Sequence, residues 1–164
     1  MGGHWYGYGW ESQLLETGFL AAAASPLGLT RHPPPSWLPV VGFRWLLFRI
    51  MLGSGLIKLR QSSSPCWRCW RPGQASCMEY FYETQPVPSP LARRLHFMPP
   101  WFHSGSTYTN HVVELLLPWL LLLPPLAGTH FRSLTVWGGG VAQLSFQLML
   151  CASGNLSFLN VLTM

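Results

Sequence analysis

The sequence predicts an all-α, polytopic transmembrane protein with one long cysteine- and proline-rich loop, and three observations predict it. Only 9% of the 164 residues are charged against 49% hydrophobic. Three segments are apolar over lengths that suit membrane helices. Nine Trp and fifteen Pro sit among those runs, a composition unlike that of a soluble domain.

Residues 1–36 read as a half-helix or re-entrant segment followed by a Pro-rich linker. Residues 14–29 are apolar but contain Glu16 and are interrupted by Pro26, which makes them short for an independent span. Pro33, Pro34 and Pro35 cannot be helical together, because each removes a backbone donor and biases its predecessor to extended conformations. Met1-Gly-Gly-His-Trp-Tyr6 lacks the basic and apolar regions of a secretory signal. Insertion would then rely on the internal apolar segments.

Residues 37–60 read as a transmembrane helix. From Trp37 to Leu59 a helix would run roughly 34 Å, enough to cross a hydrocarbon core of about 30 Å. Arg44, Arg49 and Lys58 interrupt it. Arg49 and Lys58 enclose only about 12 Å of helix, so no register keeps every cation out of the apolar slab. Arg44 and Lys58 return to nearly the same azimuth, whereas Arg49 lies about 140° from Arg44. Cations at membrane depth normally face protein and pair with an acid or carbonyl. The alternative is a helix lying in the interface with its basic side chains snorkelling to water.

Residues 61–109 read as a water-facing hydrophilic loop, with a short interfacial helix around residues 91–97. Residues 110–164 read as two further transmembrane helices. The first, at 112–128, is kinked or ended by Pro118 and Pro124-Pro125, and the second, at 133–153, is uncharged. The chain stops inside an apolar run, which reads as a truncation.

Glu16 and Glu114 are the acids that fall within apolar segments. They are the candidate partners of Arg44, Arg49 and Lys58 as intramembrane ion pairs. Such pairs serve as specificity locks between helices or as proton or substrate sites, and the lock is the simpler reading. His111 and Glu114 are three apart and share a helix face, a spacing that could hold a metal or move a proton. No second cluster completes a ligand set, so the sequence predicts no metal and no cofactor. Gln143, Gln147, Cys151 and Asn155 recur every four residues, a polar stripe suited to helix packing.

Cys66, Cys69 and Cys77 fall in the loop. Cys66-Trp-Arg-Cys69 has redox-motif spacing but lacks the strand-to-helix frame of that chemistry. A structural disulfide among the three is expected if the loop faces an oxidising lumen. The net charge is +5, but the basic residues are scattered and form no groove with aromatics, which excludes nucleic acid as a partner. Neither a phosphate-binding glycine loop nor a nucleophile elbow is present.

Several blocks resemble one family, the lipase maturation factors, multi-pass proteins of the endoplasmic reticulum membrane. They are Gly9-Trp-Glu-Ser-Gln-Leu-Leu-Glu-Thr-Gly-Phe-Leu20, the segment from Gly42 to Arg60, Tyr82-Glu-Thr-Gln-Pro86, Asn110-His-Val-Val-Glu-Leu115 and Ser153-Gly-Asn-Leu-Ser-Phe-Leu-Asn160. The blocks lie in the family's order, and the chain looks most similar to the first of its two vertebrate paralogues. The sequence departs from the pattern at the repeated Cys66-Trp-Arg and Cys69-Trp-Arg and at Phe81. The resemblance implies a non-enzymatic factor that assists folding and assembly of secreted dimeric lipases such as lipoprotein lipase. Its partners would be membrane lipid and client lipases in the endoplasmic reticulum lumen. The rival readings are an intramembrane enzyme using Lys58, His111 and Glu114 as acid-base groups, and a purely structural membrane subunit.

Overall fold

A computed structural model describes residues 9–25, 37–60, 65–68, 77–84, 89–122 and 137–154. Among them every regular element is helical. In chain order these are α1 (Gly9–Ala24), α2 (Trp37–Leu59), a 3-10 turn (Pro65–Arg68), α3 (Cys77–Glu83), α4 (Pro90–His96), α5 (Pro100–Leu115), α6 (Trp119–Leu122) and α7 (Gly139–Ser153).

The 23-residue α2 is the hub, touching α1, α5, α6 and the 3-10 turn. Among the described residues it alone is long and apolar enough to cross a membrane, and only 22% of its apolar window is buried. A core helix of a soluble protein would be mostly covered. Trp37, Leu38, Val41, Trp45 and Ile57 stay exposed, the pattern of a helix whose remaining surface faces lipid.

Prolines set the other boundaries. Ser89 caps α4, its hydroxyl accepting from the Ala92 amide at 3.1 Å, and Pro90 occupies the first turn, where no amide donor is needed. The same hydroxyl donates to the Ala152 carbonyl at 2.7 Å, tying the start of α4 to the end of α7. Pro118 follows α5 in a short turn and cannot continue its hydrogen-bond ladder.

Two apolar clusters hold the helices together. Met51, Val113 and Phe146, with Leu47, Leu117 and Leu150 against them, join α2, α5 and α7. Met78, Tyr82 and Ala92, with Trp67, Leu95 and Phe102 against them, join the 3-10 turn to α3, α4 and α5. The α2–α5 crossing is close at Gly55, where a Cβ would lie 2.7 Å from Leu115 Cδ2 and 3.1 Å from Glu114 Cβ. A Cβ there would require the Leu115 side chain to move and Glu114 to give by a few tenths of an ångström, so glycine favours this approach.

Several boundaries differ from those expected from sequence. The expected hydrophilic loop at 61–109 contains α3, α4 and most of α5. In the segment where a span was expected, 112–128, the structure has the end of α5, which runs from Pro100 to Leu115, and α6, and residues 123–128 lie outside the described residues. The expected span at 133–153 overlaps α7 (Gly139–Ser153), and its first residues, 133–136, lie outside the described residues. The half-helix expected at 14–29 is α1, which starts at Gly9 and ends at Ala24. The linker at 30–36 lies outside the described residues. Apolar run length missed the start of α5 because Pro100 and polar residues in its first turns, not hydropathy, decide where that helix begins.

Candidate functional site

Lys58 lies in the last turn of α2, where a cation is favoured by the helix dipole. Its Nζ donates to both carboxylate oxygens of Glu114 on α5, at 2.6 and 2.7 Å. The side chains are 19% and 6% exposed. Asn110, one turn earlier on α5, donates from Nδ2 to Glu114 Oε2 at 3.0 Å. The Trp67 ring lies 4.8 Å from Lys58 Nζ, a cation–π contact on the outer side of the pair.

Trp67 is held in place by its own neighbours. Cys66 is disulfide-bonded to Cys77 at the start of α3. The His111 ring meets the Trp67 ring edge-on with centroids 6.1 Å apart, and His111 Nε2 lies 2.9 Å from the Trp67 carbonyl. A carbonyl only accepts, so Nε2 carries the proton. The residues Lys58, Glu114, Asn110, His111 and Trp67 thus form one continuous cluster at the α2–α5 crossing.

A second pair lies elsewhere on α2. Arg49 donates from both terminal nitrogens to the carboxylate of Glu16 on α1, at 3.0 and 3.2 Å, a fork-on-fork arrangement. Its side chains are 45% and 42% exposed. Arg49 precedes Lys58 by nine residues, about 14 Å along the helix axis, near the middle of α2. Arg44 makes no ion pair among the described residues.

Of the five ionisable residues singled out from sequence, the structure therefore brings Lys58 to Glu114 and Arg49 to Glu16, and leaves Arg44 apart from either acid. Cys66 bonds Cys77 across a sequence separation of 11, so the Cys-x-x-Cys spacing does not define the bond. Cys69 lies outside the described residues, as does Asn155 of the polar stripe. Gln143 and Gln147 of that stripe are buried in α7. They direct their amide nitrogens to the Val113 carbonyl at 3.4 Å and to Met51 Sδ at 3.6 Å.

Sequence reasoning missed Asn110 and Trp67. Asn110 and Glu114 are four apart on one helix, a spacing at which amide and carboxylate side chains meet, so that partner could have been found. Trp67 carried no signal beyond its place after Cys66. Among the described residues no group of His, Cys, Asp and Glu could hold a metal ion. Both oxygens of the Glu114 carboxylate accept hydrogen bonds, Oε1 from Lys58 and Oε2 from Lys58 and Asn110, and the Lys58 bonds link α5 to α2.

The family model for the lipase maturation factor transmembrane domain matches residues 1–164. Lipase maturation factor 1 of Homo sapiens is 51% identical over 99% of this chain and 27% of its own length. The Mus musculus protein of that name is 52% identical over 97% of this chain and 26% of its own. Lipase maturation factor 2 of Xenopus laevis is 37% identical over 94% of this chain and 21% of its own. The chain spans about a quarter of the length of the relatives it matches. No solved structure matches it.

Proposed function

The chain belongs to the lipase maturation factor family, and from that premise we propose that it is part of the membrane module of a factor that assists folding and assembly of secreted lipases. The clients are dimeric lipases such as lipoprotein lipase, and the compartment is the endoplasmic reticulum, which the protein crosses more than once. The bond between Cys66 and Cys77 supports a lumenal position for the loop that carries them, since disulfides persist in oxidising compartments. The Lys58 end of α2 is then also lumenal.

The observation that carries the reading is the closure of the Lys58–Glu114 pair by Asn110 and Trp67. A site built to exchange protons or bind substrate needs an open position. Here the charges neutralise each other and join α2 to α5 at the crossing that Gly55 permits. The pair is a lock that gives the membrane module one helix arrangement, on which lumenal parts of a maturation factor can be displayed.

The test is rescue of secreted lipase activity in cells lacking the factor, using the full-length protein. Glu114→Gln strands Lys58 and abolishes rescue together with protein half-life. Lys58→Arg keeps the charge but cannot lose its proton. A lock retains substantial rescue with Lys58→Arg, whereas an acid-base enzyme using Lys58, His111 and Glu114 loses all of it.

A further inference from the structure

Trp67, the residue that covers the Lys58 ammonium, stands on a 3-10 turn of four residues. A turn of that length does not hold itself together, because the order it imposes on the chain outweighs its own hydrogen bonds. It is placed from outside. Cys66 is bonded to Cys77, His111 Nε2 donates to the Trp67 carbonyl, the indole packs against Met78, Tyr82 and Ala92, and its ring faces Lys58 Nζ. Of these attachments the disulfide is the covalent one, and it alone depends on the redox state of its surroundings.

The bond joins residues 11 apart, and a disulfide spares the folded chain the entropy of closing such a loop. Met78, against which the indole packs, directly follows Cys77 at the start of α3. The bond that fixes the turn therefore also delivers the indole to its packing site. Without it, one hydrogen bond, one cation–π contact and the packing of one ring must hold the turn against the freed loop.

We propose that the Cys66–Cys77 bond is a redox latch on the ion pair. In the oxidised chain it holds Trp67 over Lys58 and encloses the lock, and in the dithiol chain the turn lifts and Lys58 meets water. Closing the latch takes two electrons and two protons from the two thiols and passes them to a disulfide of the compartment, such as oxidised glutathione, which becomes two thiols. The pair is thus enclosed only after the loop has reached an oxidising compartment. The inference rests on the proposed lock between α2 and α5, and not on the identity of the clients.

The test reads acylation of Lys58 in the full-length protein in phosphatidylcholine nanodiscs, using a water-soluble N-hydroxysuccinimide ester of acetate and mass spectrometry of the peptide that contains it. Lys58 is the only lysine among the 164 residues, so the label on this part of the protein has one source. An ammonium paired with a carboxylate and covered by an indole reacts slowly, since acylation needs the free amine. Wild-type protein should label slowly, and protein carrying Cys66→Ser with Cys77→Ser several-fold faster. Trp67→Ala, which keeps the bond, should label as fast as the disulfide-free protein, and adding the two serines to it should change nothing. Trp67→Phe keeps a ring face for the cation and should restore a rate near wild type.

A wild-type rate in the disulfide-free protein would overturn the latch and leave the lock standing. So would a wild-type rate in Trp67→Ala, which decides the matter even where the disulfide-free protein fails to fold. A further rise when the serines are added to Trp67→Ala would also overturn it, because the bond would then protect Lys58 by a route other than the indole. Fast labelling of oxidised wild-type protein would overturn the lock and the latch together.

Discussion

Lys58 and Glu114 meet with side chains 19% and 6% exposed, Arg49 and Glu16 with side chains 45% and 42% exposed. Both pairs tie α2 to a neighbour, and both use two hydrogen bonds to one carboxylate. They differ in what surrounds them. Around Lys58 and Glu114 the protein itself supplies the environment, with Asn110 on the carboxylate and Trp67 over the ammonium. Around Arg49 and Glu16 nearly half of each side chain is left to whatever lies outside. The strength of the first pair is therefore fixed by the fold, and that of the second by the medium.

That difference sets opposite responses to loss of one partner. Removing one member of an enclosed pair strands the other without solvation, a cost of about 3–5 kcal/mol. An exposed pair in water or at a detergent surface contributes about 0–1 kcal/mol. In a bilayer the second pair also sits near the middle of α2, where removing a cation eases insertion by about 2.5–3.5 kcal/mol.

The largest expected effect is from Glu114→Gln, which should lower the unfolding free energy of the full-length protein by about 3–5 kcal/mol. Chemical denaturation in detergent, with protein half-life in cells as a second readout, measures it. Asn110→Ala comes next, at about 1.5–3 kcal/mol for a hydrogen bond to a charged group. In the same assay a loss under a few tenths would mean that Lys58 alone satisfies the carboxylate.

Gly55→Ala places a Cβ against Leu115 and Glu114 and should cost about 1–3 kcal/mol by overpacking. Its control is Gly53→Ala, where nothing lies within 4 Å, and whose melting temperature should not fall. Equal melting temperatures for the two variants would show that the crossing is loose. The smallest effect is from Arg49→Leu in detergent, at about 0–1 kcal/mol. In membranes the same variant should integrate normally and turn over faster than wild type, because Glu16 is then stranded at depth. Wild-type turnover would mean that Arg49 reaches water.

The all-helical character was legible because long apolar runs with few charges leave helices as the simplest way to satisfy the backbone in lipid. The extent of α2 was legible for the same reason, bracketed by prolines before Trp37 and by Lys58 and Arg60 at its end. The start of α5 was not. The first turns of α5 hold His103, Ser104 and Thr107, which hydropathy reads as loop although His103 and Thr107 are buried. At the site, Lys58 and Glu114 could be singled out as ionisable groups in apolar sequence. Which cation meets which acid depends on the α2–α5 crossing, and that crossing is set by packing around Met51 and Val113 and by the close approach at Gly55. Trp67 was beyond reach, since its position follows from a disulfide partner eleven residues away.

The most direct test of the lock is a double-mutant cycle on the full-length protein, with Lys58→Gln, Glu114→Gln and the double variant, read as unfolding free energy in detergent. The pair predicts that each single substitution is severe and that the double variant is less impaired than the sum, with a coupling of about 0.5–3 kcal/mol. Strict additivity, with the double variant losing as much as the two singles together, would contradict it.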